Sequence, residues 1–161
     1  MMKDLDVMKI REYIPLTQPS LMIDFVEEVE IGKYARGYKN FTYTESFFSS
    51  HFLNDPSVPS GVIIDCMSQM LLMTFLTLDN NKGSVTACLK IDNVEFRQKI
   101  IPGNRLDLEA RLDSYKRGVA KGSVNGYLHS IAGGGVQVCR ANFVIAIPEI
   151  LQQVAPKGKE M

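Results

Sequence analysis

From Val62 to Leu78 the chain runs almost without charge, and apolar residues fall on nearly every side of a 3.6-residue turn. That pattern predicts one long helix buried all round, about 25 Å in length at a rise of 1.5 Å per residue. Asp79-Asn80-Asn81-Lys82-Gly83 ends it. Elsewhere the period is two. Leu21, Ile23 and Phe25 alternate with Met22 and Asp24, and Val29 and Ile31 continue the phase, which predicts a half-buried strand. Tyr34 to Phe41 is expected to pair with it after a turn at Gly32. Leu106, Leu108, Ala110 and Leu112 alternate with Asp107, Glu109 and Arg111, the cleanest two-residue period in the chain. Val85 to Arg97 also reads as strand, but its phase slips: Leu89 and Ile91 are odd-numbered, Val94 and Phe96 even. One extra residue near Asp92-Asn93 restores a single face, so a bulge is expected there. Pro102-Gly103, Lys116-Arg117-Gly118 and Gly133-Gly134-Gly135 mark turns, the last two punctuating strands over Val119 to Ile131 and Val136 to Ile147. Ile10 to Tyr13 forms a short opening turn closed by Pro15, and the last dozen residues a short helix and frayed tail.

One long helix among many strands predicts an α+β domain in which a curved antiparallel sheet wraps around a central helix. No repeat or linker divides the chain, so residues 1–161 are expected to form one domain, with a core over about 10–148 and a tail over 149–161.

Composition narrows the function classes. Lysine plus arginine and aspartate plus glutamate number 18 each, so no net field draws the chain to nucleic acid or an anionic membrane. Cys66, Cys88 and Cys139 form neither a disulfide framework nor a zinc pattern, and read as reduced, mostly buried thiols of a cytoplasmic protein. The N-terminus mixes acids with its bases and lacks the apolar core of a signal peptide. The longest apolar run is short for a membrane span and carries Asp65, Ser68 and Gln69.

Those three polar residues raise the question of chemistry. With Asp65 at zero on a helical wheel, Gln69 lies about 40° to one side and Ser68 about 60° to the other. They make a polar stripe near the start of an otherwise apolar helix. A carboxylate there is favoured by the helix dipole, and the free amides around Ser60, Gly61 and Val62 suit a developing negative oxygen. His51 precedes the helix and adds a base that is neutral at cellular pH. A base, an acid and an oxyanion site together fit proton removal beside a carbonyl. Structural roles stand beside this reading: His51 as a hydrogen-bonder, Asp65 as a helix-start residue, Ser68 and Gln69 facing solvent, and Met67, Met70 and Met73 as core filler.

The run KNFTYTESFFSSHFLNDPSVPSGVIIDCMSQ, Lys39 to Gln69, resembles the signature of the β-hydroxyacyl-acyl-carrier-protein dehydratases of the FabZ and FabA type. Lys39, Asn40, Thr42, Glu45, Phe47, Phe48, His51, Phe52, Pro56, Pro59, Asp65, Met67 and Gln69 carry the likeness, and the histidine-to-acid spacing agrees without a gap. IDNVEFRQKIIPGNRL, Ile91 to Leu106, resembles a second family block, and REYIPLTQPSLMIDFVEEVEIGK resembles the family's opening more loosely.

The resemblance implies the hot-dog fold and dehydration of a (3R)-hydroxyacyl thioester on acyl carrier protein to the trans-2-enoyl thioester, in fatty-acid or related acyl-chain synthesis. By position it implies His51 as base, Asp65 as acid and the Ser60 backbone amide as polariser of the carbonyl. The site is then built across a homodimer, with further assembly into a trimer of dimers. Phe52, Gly61, Gln69, Met67, Met70 and Phe75 are expected to bind substrate, the last three beside an acyl tunnel. Arg97, Lys99, Arg105, Lys116 and Arg117 are expected to meet the acidic carrier. No metal or organic cofactor is implied, the substrate arriving on the carrier's phosphopantetheine. The family's HFPG reads His51-Phe52-Leu53-Asn54, its MPG reads Val58-Pro59-Ser60, and the acid is aspartate as in FabA, which points to an altered substrate range or reduced activity. A non-catalytic carrier-binding hot-dog subunit and a thioesterase are the alternatives. Against the thioesterase stands the absence of a separate nucleophile or second carboxylate placed to activate water.

Overall fold

The computed structural model describes residues 1–49 and 54–154, so His51, Phe52, Leu53 and the tail from 155 onward lie outside the described residues. The order of elements is β1 (Met2–Leu5), α1 (Val7–Tyr13), β2 (Phe25–Glu30), β3 (Tyr34–Asn40), a 3-10 turn (Ser46–Ser49), α2 (Ser60–Phe75), β4 (Ala87–Phe96), β5 (Arg105–Lys116), β6 (Val119–Leu128), β7 (Gln137–Ala146) and α3 (Pro148–Val154). The strands form one sheet in the order β1-β2-β3-β5-β6-β7-β4, and every pairing is antiparallel. The sheet curls around α2, which packs chiefly on β5, β3 and β6. This is the hot-dog arrangement.

The long helix owes its central place to its composition. Cys66, Met67, Met70, Leu71, Met73, Phe75 and Leu76 are fully buried, on all sides of the axis. Its two threonines are satisfied locally: Thr74 Oγ1 donates to Leu71 O at 2.7 Å and Thr77 Oγ1 to Met73 O at 2.6 Å. At the C-terminal end Asn81 Nδ2 donates to Phe75 O at 2.9 Å, covering a carbonyl left over by the last turn. Close approach of sheet to helix requires glycine at 122, where a Cβ would lie 2.6 Å from Leu71 Cδ1.

Several expectations shift in detail. The helix starts two residues before Val62 and ends three before Leu78, its C-cap being Leu76. The bulge expected in β4 is present: Asp92 faces Asn142, Glu95 faces Arg140, and Asn93 takes φ +51°. A second irregularity lies between Cys88 and Lys90. The strand expected from Leu21 begins only at Phe25, and a register shift between Val26 and Glu28 breaks its alternation. Ile23, Val26 and Val29 therefore face the core, while Ile31 is exposed. The opening turn is a seven-residue helix whose N-cap, Asp6, accepts from the Lys9 amide at 3.0 Å. Strand β1, which pairs with β2, has no counterpart in the hydrophobic pattern.

Candidate active site

Asp65 lies in the second turn of α2, where the helix leaves the sheet and meets the segment Leu16 to Met22. Between them is a cavity of about 440 Å³. Asp65 and Gln69 form one wall, Leu16, Ser20 and Met22 another, and Glu45 and Phe47 close it. Among the described residues no cation pairs with the Asp65 carboxyl. Partial burial at the cavity raises its pKa from the ordinary carboxylate value.

The helix start is bare. Its N-cap is Pro59, which has no side-chain cap to offer, and the amides of Val62 and Ile63 turn back to Pro59 O at 3.0 and 3.2 Å. Ser60 and Gly61 are exposed, and among the described residues neither amide has a partner. Of the three amides expected to be free, Val62 is thus already used. Ser60 is not among the residues at positive φ, so serine in place of the family's glycine brings no backbone strain. A shallower cavity of about 390 Å³ opens beside Ser60, with Phe96, Arg97 and Lys99 around it.

The polar stripe divides. Asp65 is exposed at the cavity and Ser68 Oγ donates to Asp65 O at 2.9 Å. Gln69 is buried, with Oε1 accepting from the Met22 amide at 2.7 Å and Nε2 donating to Ser20 O at 2.8 Å. Met67, Met70 and Phe75 are fully buried in the core. His51 and Phe52 lie outside the described residues.

The five expected carrier-binding bases do not form one surface. Arg97 and Lys99 flank the Ser60 cavity, Arg97 bonded to Glu95 at 3.0 Å and Gln137 at 2.8 Å, and Lys99 paired with Asp55. Arg105 stacks on Tyr38 with 3.7 Å to the ring centroid and is held by Asp107 at 2.7 Å and Glu27 at 3.2 Å. His129 shares Asp107, at 2.8 Å. Lys116 and Arg117 sit at the β5–β6 turn, where β6 pairs with the far end of β7 from Arg97.

Sequence reasoning missed two features. One is the segment Leu16 to Met22 as a wall of the site, since Leu16 to Ser20 carry no period and Leu21 and Met22 read as the start of a strand. The other is Glu45, quoted only within the motif. It lines the cavity of Asp65 and brings a second carboxylate to the same cavity. Lys39, buried in β3, binds it at 2.7 Å. Among the described residues no group of three histidine, cysteine, aspartate or glutamate side chains is placed to hold a metal, and no helix is long and apolar enough to cross a membrane.

Comparison with known proteins identifies relatives of this arrangement. The chain is 34% identical over 145 residues to the 3-hydroxyacyl-acyl-carrier-protein dehydratase FabZ of Bacillus velezensis, covering 90% of this chain and 99% of that protein. In fold it is similar to the dehydratase heterocomplex ApeI:P from Xenorhabdus doucetiae, with a TM-score of 0.69 at 15% identity over 91% of this chain and 97% of that one. It is also similar to a hypothetical thioesterase from Streptococcus pneumoniae, with a TM-score of 0.55 at 11% identity over 76% and 83%. The FabA-like domain model matches residues 14–141, and the chain belongs to that family.

Proposed function

We propose that this chain dehydrates a (3R)-hydroxyacyl thioester carried on acyl carrier protein, giving the trans-2-enoyl thioester and water in fatty-acid or related acyl-chain synthesis. His51 takes the proton beside the thioester carbonyl, and the electron pair of that C–H bond becomes the double bond. The hydroxyl leaves with a proton from Asp65. The Ser60 amide polarises the carbonyl as negative charge gathers on its oxygen. The observation that carries the reading is Asp65: a carboxyl raised in pKa by burial, in a cavity one turn from the Gly61 amide, which among the described residues has no partner. The name of the Bacillus velezensis relative supports the substrate class.

The site is completed across a homodimer. The support lies in β4. It is an outer strand of the sheet, and its Leu89, Ile91 and Phe96 are exposed. Apolar side chains on an open strand edge suit pairing with a second copy. Carrier docking centres on Arg97 and Lys99 beside the Ser60 cavity. Residues 1–161 act as one hot-dog domain with its core over about 10–148. Three unpaired thiols suit a reducing, cytoplasmic setting. The reaction needs no cofactor beyond the carrier's phosphopantetheine.

Thioester hydrolysis is the second reading, favoured by Glu45 in the cavity of Asp65. Against it, the Glu45 carboxylate is bound to Lys39. Mass spectrometry of a (3R)-hydroxyacyl carrier protein separates the readings. Loss of one water supports dehydration, release of free carrier thiol supports hydrolysis, and binding without change supports a non-catalytic subunit.

A further inference from the structure

Gln69 stands one turn after Asp65 on the same helix, and its side chain is nearly sealed from solvent. Both ends of its amide are used. The Met22 amide donates to Oε1 at 2.7 Å, and Nε2 donates to Ser20 O at 2.8 Å. Ser20 and Met22 belong to the segment that forms the wall opposite Asp65. That segment has no strand partner before Asp24, whose amide donates to Tyr38 O at 3.0 Å. One side chain therefore fastens a stretch of irregular backbone to the helix that carries the acid.

We propose that Gln69 is a positioning residue, which holds the Leu16–Met22 wall against α2 and so sets the width and dryness of the cavity in which Asp65 meets the substrate. This rests on the dehydratase reading, and replaces a direct substrate contact for Gln69 with an indirect role. An amide is the side chain suited to the task. The segment offers one donor and one acceptor two residues apart, and a glutamine matches both without a charge. A glutamate at 69 still accepts from Met22, but sets an anionic oxygen against Ser20 O. A leucine takes the partner away from both backbone groups, the half-buried Met22 amide and the Ser20 carbonyl.

Among the described residues, the other ionisable groups around Asp65 are Glu45 across the cavity, Cys88 on β4 and Cys66 on α2 itself, and both variants leave them in place. The experiment compares Gln69→Glu and Gln69→Leu with the unaltered chain. One readout is kcat and KM on (3R)-hydroxyacyl carrier protein. A second is the titration of the Asp65 carboxyl by carbon NMR. A third is hydrogen exchange of the Met22 amide in the unaltered chain. The expected results are a fall in kcat/KM of about tenfold or more, borne mainly by KM, an Asp65 titration moved to lower pH as water enters, and a protected Met22 amide. An Asp65 titration unmoved in folded variants overturns the proposal, as does a Met22 amide that exchanges at open-loop rates. Should the variants not fold, Met22 exchange decides alone. Should the unaltered chain dehydrate nothing, the titration and exchange arms still judge Gln69 while the dehydratase reading falls.

Discussion

Lys39 Nζ lies 2.7 Å from Glu45 Oε1 and 3.4 Å from Asp24 Oδ2, with 7% of the lysine side chain in solvent. Burial alone lowers the pKa of Lys39, but the hydrogen bond to Glu45 and the charges of Asp24 and Glu45 outweigh it, and the net shift is upward. The stability this brings is fully present below the ordinary lysine pKa of about 10.4, and is lost only as pH rises through the raised value. Lys39→Met removes the cation that the Asp24 and Glu45 carboxylates share. Because both carboxylates reach solvent, the expected loss is roughly 2 kcal/mol, below the 3–5 typical of a fully buried pair. Urea denaturation at pH 7 checks it, and an unchanged midpoint contradicts it.

Asp65 has the opposite sign. Its folded pKa is raised, so ionisation disfavours the folded state, and stability falls as pH climbs from the unfolded value near 3.9 through the folded one. Asp65→Asn is expected to melt higher than the unaltered chain at pH 7. The difference closes below pH of about 4, where both states of Asp65 are protonated. The same substitution is expected to cut dehydration by about 10²–10⁴-fold. A variant that melts lower at pH 7 while active contradicts both halves.

How far the sequence reached depended on the kind of signal. The central helix and strands β5 to β7 were legible because each buries a continuous face, and the β4 bulge because one extra residue inverts the phase of every side chain after it. Strand β1 was not, since its four residues Met-Lys-Asp-Leu bury only Leu5. Segment 16–22 as a wall of the site was not, because its link to the helix runs through Gln69, a residue 47 positions away from Met22. Asp65 stood out as a charge in an apolar run. Glu45 did not, because its place at the cavity and its pairing with Lys39 come from tertiary contacts that no local pattern encodes.

Gly122 tests the packing of sheet on helix. A Cβ there meets Arg111 O on β5 and lies 2.6 Å from Leu71 Cδ1 on α2. Backbone on one side and core on the other leave little room to yield, so Gly122→Ala is expected to cost about 1–3 kcal/mol. Thermal melting checks this. A variant as stable as the parent shows that β6 and α2 are not in close contact.

The edge of β4 tests the dimer. Leu89 is 55% exposed and Ile91 41% exposed in the single chain. Replacing both with lysine places charge on the proposed seam. Light scattering is expected to show the unaltered chain as a dimer or a multiple of it, and the double variant as a monomer without dehydratase activity. An active monomer contradicts the shared site.

The most direct measurement mixes two dead chains. His51→Ala and Asp65→Asn are each expected to leave (3R)-hydroxyacyl carrier protein unchanged. After subunit exchange a mixed dimer holds one site with both native residues, and the mixture is expected to release water from the substrate, as read by mass spectrometry. If the unaltered chain dehydrates while the mixture does not, despite proven exchange, His51 and Asp65 act from the same chain. If either single variant stays fully active, the assignment of base and acid is wrong.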